Sequence, residues 1–215
     1  GNQLANYVDA NVKTARKFSK KCRILMAESN NSKILQSSFY EIDILEIGGH
    51  HKGKRGKDSE NKQPTLLILS TLEDNNYPQY VKLHTLPNYK GEPIEEYLKE
   101  KCLFDPTIVI NCDRDKAFFC LNKLAQLENS VVDYTKENHK LKWLNTFIGN
   151  IQSNINHLYR LVKKRDLPLF LSEQEWRINH RYSGKRIMDK VKKYISMSTP
   201  VTFKQITNSL DSRRN

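Results

Sequence analysis

No long hydrophobic run occurs in the 215 residues of this chain. A membrane-spanning helix needs about eighteen or more successive apolar residues, so an integral membrane protein of that kind is excluded. The opening stretch, GNQLANYVDANVKTARKFSKK, has no uncharged apolar block before a small-residue cleavage site, and does not read as a secretory signal. Proline and glycine are scarce, 7 + 8 = 15 residues together, which excludes collagen-like and low-complexity classes. Cysteine is scarcer still: Cys22, Cys102, Cys112 and Cys120, with no pair at the spacing of a zinc knuckle. That density is far below a secreted disulfide scaffold, so the thiols read as reduced and the protein as intracellular. Cys112 lies in an apolar stretch and reads as a small core residue. A P-loop, a Gly-x-Gly-x-x-Gly and a Ser-His-Asp order are all absent.

Positive charge is abundant. Thirty-six Lys and Arg stand against 24 Asp and Glu, a formal +12. Phosphates attract such a surface whatever their sequence, so nucleic acid is the first partner to consider. The charge is clustered rather than evenly spread. His50-His51-Lys52-Gly53-Lys54-Arg55-Gly56-Lys57 is a basic, Gly-spaced loop suited to phosphate contact. Lys163, Lys164, Arg165, Arg177, Arg181, Lys185, Arg186 and Lys190 to Lys193 thicken the C-terminal third.

The pattern of apolar residues gives an order of elements. A helix is predicted over 4–28, ended by Asn30-Asn31-Ser32. Strands follow at 38–47, 65–71 and 79–86, the last two as an antiparallel hairpin, with a polar loop over 50–64. A helix over 92–102 precedes a buried strand over 107–112, then a helix over 114–127 and a short strand over 130–133. Helices over 143–164, 169–181 and 185–198 complete the chain. The order β-β-β-α-β-α-β-α implies a mixed α/β sheet with the fourth strand parallel beside the first. RNase H-like nucleases and integrases share that order.

Acids at two places then become informative. Asp43 lies between Ile42 and Ile44 inside the first strand, and Asp113 directly follows the fourth. An Asp within an apolar strand is costly unless compensated, and two on neighbouring strands repel. A hard divalent cation such as Mg²⁺ or Mn²⁺ resolves both costs. Two such ions about 3.5–4 Å apart clamp the attacking and leaving oxygens of a phosphodiester. The competing structural roles are a solvent-facing edge position for Asp43 and an N-cap of the 114–127 helix for Asp113. Asp115, Glu128, Asp133 and Glu137 are further acids within reach in sequence, Asp115 in a first helical turn where an acid is favoured anyway. His50-His51 are adjacent and do not converge on one ion. Trp143 and Trp176 fall on apolar helix faces and read as core.

Four motifs in order resemble a known family. YEIDILEIGG followed by HHKGKRGK resembles the first motif of insertion-sequence transposases of the ISXO-like type and their eukaryotic Merlin relatives. INCDRDKAFFCL is similar to their second motif, KLKWLNTFIGNIQSNINHLYRLV to their third, and FLSEQEWRINHRYSG to their closing Arg-x-Asn-x-Arg signature, here Arg177, Asn179 and Arg181. The resemblance implies an RNase H-like, retroviral-integrase-like mixed five-stranded sheet flanked by helices, with helical extensions at both ends. It implies a transposase core over 38–184, preceded by a helical segment or remnant of a DNA-binding module over 1–37 and followed by a basic helix and tail over 185–215. It further implies a DDE-type enzyme using Mg²⁺ or Mn²⁺, two ions, on DNA ends and target DNA as a homodimer in nucleus or nucleoid.

The two acids carry over as Asp43 and Asp113, with a spacing of 113 − 43 = 70. The third position falls on Asn145, 145 − 113 = 32 residues on, where a side-chain carbonyl can serve as a neutral oxygen ligand. Its structural alternative is an N-cap of the helix that follows. Lys52, Lys54, Arg55, Lys57, Gln152, Lys163, Lys164, Arg177 and Arg181 are the expected DNA contacts. Three departures stand out: Ile44 where relatives often carry Glu, Gln152 where they often carry Lys, and only about 37 residues before the first strand in place of a zinc ribbon and helix-turn-helix. They support an alternative, a domesticated and catalytically silent protein that retains a nucleic-acid-binding or assembly surface. A structure-selective nuclease of the same fold is a third reading.

Overall fold

A computed structural model describes residues 2–48, 62–72, 77–113, 115–129, 141–158 and 162–197. The described residues within Lys33–Lys164 form one compact unit, and those within Gly1–Ser32 and Arg165–Asn215 a second.

The first unit is built on a five-stranded mixed sheet in the order β3-β2-β1-β4-β5. Its strands are β1 (Phe39–Gly48), β2 (Lys62–Thr71), β3 (Pro78–Thr85), β4 (Val109–Cys112) and β5 (Gln126–Asn129). β1 pairs antiparallel with β2, and β2 with β3, while β4 runs parallel to β1 and β5 parallel to β4. The predicted hairpin and the parallel placement of the fourth strand beside the first are both observed. β1 is central in the strand order, but its pairing with β4 ends at Ile42, so Asp43 is paired on one side only, with Leu67 of β2.

Alternation divides β1 between two faces. Tyr40 and Ile42 point into a core with Ile68 of β2, Ile110 and Cys112 of β4, Ile94 and Leu98 of α3 (Gly91–Lys101), and Phe118 and Leu121 of a 3-10 helix at Lys116–Lys123. The opposite face, with Glu41 and Asp43, is approached by α4 (Lys142–Ser153), which buries Leu144, Phe147 and Ile151 at helical spacing.

The second unit is helical. α2 (Val12–Asn31) packs on α5 (Leu167–Asn179) through Ile24, Ala27 and Leu169. Arg23 Nε meets Glu173 Oε2 at 2.7 Å, and Asn30 Nδ2 donates to Ser172 O at 2.8 Å. A 3-10 segment at Arg181–Arg186 leads into α6 (Ile187–Met197), whose apolar face lines a groove with Cys22, Leu25, Met26 and Trp176. Trp176 is buried in this unit, as its apolar face predicts.

Several boundaries differ from expectation. The N-terminal helix is two, α1 (Asn2–Tyr7) and α2, because Asp9 takes a left-handed φ of 48° and Asn11 starts a new helix by accepting from Lys13 N–H. β2 begins at Lys62, inside the expected loop, because β1 is long enough to pair with it down to Gly48↔Lys62. The helix expected over 114–127 is the 3-10 turn at Lys116–Lys123, and the fifth strand is Gln126–Asn129, overlapping the last two residues of the expected helix. Parallel pairing of Val109 with Gln126 starts the strand there, while 130–133 lies outside the described residues. α4 ends at Ser153 and passes into a π-helical turn at Asn154–Leu158 rather than continuing as α-helix.

Candidate active site

The pairing of β1 with β4 sets Ile42 opposite Cys112. Asp43 and Asp113 stand one residue further along in each strand direction, so continuing the parallel register sets the two positions next to each other where β4 ends. Both residues are half-buried. Cys112 senses the two charges: its thiol is pushed up to about 12, by burial first and then by the Asp113 and Asp43 carboxylates.

Local backbone orients each acid. Asp43 Oδ1 accepts the Ile44 N–H at 2.7 Å, and Asp113 Oδ1 accepts the Asp115 N–H at 3.0 Å. The N-cap of the following 3-10 helix is Asp115, which accepts from Ala117 N–H at 3.0 Å, and not Asp113. The turn closed by Asp113 delays the helix by two residues, and so the capping role passes on. Asp115 is thereby given a structural task. Glu128 is exposed on β5, and Asp133 and Glu137 lie outside the described residues.

α4 is tied to β1 at two points. Leu144 N–H donates to Glu41 Oε2 at 3.2 Å, and Gln152 Nε2 donates to Glu46 O at 3.5 Å. The helix therefore runs along the strand from Glu41 towards Glu46, and carries Asn145 onto the sheet face that holds Asp43. Asn145 is the fourth residue of α4, and its N–H donates to Leu141 O at 3.0 Å. It is not the N-cap; that position is Leu141, left-handed at φ 70° and without a side-chain cap. Asn145 Nδ2 is buried and has no hydrogen-bond partner, and the same holds for Asn111 Oδ1 on β4. Gln174 Nε2, Glu175 Oε1 and Trp176 Nε1 in the helical unit are unsatisfied in the same way.

Asp43, Asp113 and Asn145 together offer hard oxygen donors, the donor set that Mg²⁺ or Mn²⁺ prefers. Among the described residues no group of three or more His, Cys, Asp or Glu comes together, so a third acid is not supplied there. Asn145 follows directly on Leu144, whose N–H is bonded to Glu41 on this face of the sheet.

The expected DNA contacts among the described residues belong to both units. Lys163 and Lys164 are exposed at the end of the sheet unit. Arg177 and Arg181 lie in the helical unit: Arg177 Nη1 is 3.7 Å from Glu173, and Arg181 Nη1 donates to Ile178 O at 2.9 Å while its guanidinium covers Tyr182. Gln152 is half-buried, with its amide on Glu46 O. Lys52, Lys54, Arg55, Lys57 and His50-His51 lie outside the described residues. Trp143 is half-buried on the flank of α4, with its ring 6.3 Å from that of Tyr77.

Sequence reasoning missed Glu41. It is only 3% exposed and shares the Asp43 face of β1. The signal was present, since two acids at i and i+2 of an apolar strand point the same way.

No curated protein matches the chain. Residues 39–179, more than half of it, match the ISXO2-like transposase domain. DDE transposases use divalent metal ions, and their RNase H-like fold has the mixed five-stranded sheet flanked by helices observed here. The chain belongs to the family of ISXO2-like transposase domains.

Proposed function

We propose that this chain is a DNA transposase core that performs metal-dependent strand cleavage and strand transfer. The observation that supports the reading is the register that pairs Ile42 with Cys112, the residues immediately before Asp43 and Asp113. Asp43, Asp113 and Asn145 would hold Mg²⁺ or Mn²⁺, two ions in the full site. When bound, the ions supply positive charge against the attacking and leaving oxygens of the phosphodiester. Asp43 and Asp113 contribute charged oxygens held in place by their own backbone turns, and Asn145 contributes a neutral carbonyl oxygen. Water first displaces one strand in line, and the freed 3′ hydroxyl then attacks target DNA, so no side chain becomes covalently attached. Lys52, Lys54, Arg55, Lys57, Lys163, Lys164, Arg177 and Arg181 neutralise phosphates, and Gln152 contacts the backbone without charge.

The partners are transposon ends and target DNA, met by a homodimer in nucleus or nucleoid. Residues 38–184 form the core, with 1–37 as a helical segment or remnant of a DNA-binding module and 185–215 as a basic helix and tail. No described helix is long and apolar enough to cross a membrane.

A second reading rests on Ile44 and on Gln152, whose amide is engaged by the Glu46 carbonyl. It makes the protein a domesticated, catalytically silent binder of nucleic acid. Nicking of supercoiled plasmid in Mn²⁺ and then Mg²⁺ separates the two. For the enzyme, nicking requires metal and is lost in Asp43→Ala and Asp113→Ala. Salt-sensitive plasmid binding without nicking selects the silent protein.

A further inference from the structure

We infer that Glu41 is the positioning residue of the metal site, holding α4, and with it Asn145, in register with Asp43. This rests on the reading of Asp43, Asp113 and Asn145 as metal ligands. A helix start leaves unpaired N–H groups that a side chain just before the helix normally accepts. At α4 that place is taken by Leu141, which is left-handed and has no polar atom to offer. The missing acceptor comes instead from a different element, 103 residues away in sequence: Glu41 Oε2 accepts the Leu144 N–H at 3.2 Å. A carboxylate at the positive end of a helix makes a charge-assisted bond.

The bonded amide belongs to the residue immediately before Asn145. Glu41 itself lies two residues before Asp43 on the same strand face, about 7 Å along the chain. One side chain thus links the strand that carries the first ligand to the helix that carries the third. The bond is fully buried, so the Glu41 side chain and the Leu144 amide are held together out of contact with water. Asn145 Nδ2 has no partner of its own, which leaves the placement of the helix to set where that side chain goes.

The test is titration of Mn²⁺ into the full chain, followed by calorimetry, together with amide hydrogen exchange of the metal-free protein. Glu41→Leu removes the acceptor and is expected to weaken Mn²⁺ binding about tenfold or more, as loss of a ligand-orienting partner does. Glu41→Gln keeps a carbonyl oxygen for Leu144 and should stay within about threefold of the parent. Because Glu41 acts through Asn145, Glu41→Leu with Asn145→Ala should bind no more weakly than Asn145→Ala alone. Without metal, the Leu144 amide should exchange faster in Glu41→Leu and at the parent rate in Glu41→Gln.

Parent Mn²⁺ affinity in Glu41→Leu would overturn the inference. So would a Glu41→Gln protein that loses Mn²⁺ as fully as Asp43→Asn, since Glu41 would then be a ligand itself. If Glu41→Leu does not fold, Glu41→Ala, which also removes the acceptor, takes its place with the same expected and overturning results. Parent affinity in both Asp43→Asn and Asp113→Asn would remove the metal site altogether, whatever the Glu41 variants do.

Discussion

Asn145 sets stability against function at a single position. Its Nδ2 is buried without a partner, and an unsatisfied buried donor costs about 1–3 kcal/mol. Leu has the same branching and the same number of side-chain heavy atoms, with no polar atom. Asn145→Leu is therefore expected to raise unfolding stability by about 1 kcal/mol while abolishing its share of metal binding. Urea unfolding beside Mn²⁺ titration checks both halves; a variant less stable than the parent would show that the amide is satisfied. Cys102 gives a second test at this scale. Burial pushes its thiol from 9.0 up to about 12, with the Lys82 charge pulling partly back. A folded value above the unfolded one means that the fold favours the neutral thiol. That contribution is whole below about pH 9 and is lost as pH rises towards about 12. Cys102→Ala has no such loss, so its melting temperature should fall less steeply than the parent's between pH 9 and pH 11.

Elements with strong periodicity were legible in sequence, and elements held by long-range pairing were not. FYEIDILEI and TLLILST read as strands because β-branched and apolar residues fill them, and both pair as expected. QLEN has neither signature; it is a strand because β4 offers it a parallel edge from Val109 to Cys112. Asp43 and Asp113 were legible because an acid in an apolar strand is conspicuous. Glu41 was not singled out, since its partner amide lies on a helix far along the chain. The contact of α3 with the 3-10 helix at Lys116–Lys123 is another feature that only the fold reveals. A Cβ on Gly91 would lie 2.9 Å from Cys120 Sγ and 3.0 Å from Ala117 O. Backbone oxygen cannot give way cheaply, so Gly91→Ala should cost about 1–3 kcal/mol by overpacking, more than the gain of up to about 1 kcal/mol in helix propensity. Thermal melting measures it. Adding Cys120→Ala should recover only part of the loss, because the Ala117 carbonyl remains in place.

On the scale of the whole molecule, charge is distributed over both compact units, and the matched domain at 39–179 includes residues of each. The two central acids lie in the sheet unit, and Arg177 and Arg181 in the helical one. Composition alone made +12 a statement about phosphates, but an average cannot say which lysines meet them. Salt dependence can. Each phosphate neutralised by a side chain contributes a slope of about −0.9 to log affinity against log salt on duplex DNA. Lys163 and Lys164 are both exposed. Replacing both by Gln should make the slope shallower by about 2 and weaken different duplex sequences equally, because a phosphate contact carries no base information. Fluorescence anisotropy with two unrelated duplexes across about 50–200 mM salt reads both quantities. An unchanged slope would move the DNA path away from the end of the sheet unit. A loss confined to one duplex would show that these lysines read bases rather than the backbone.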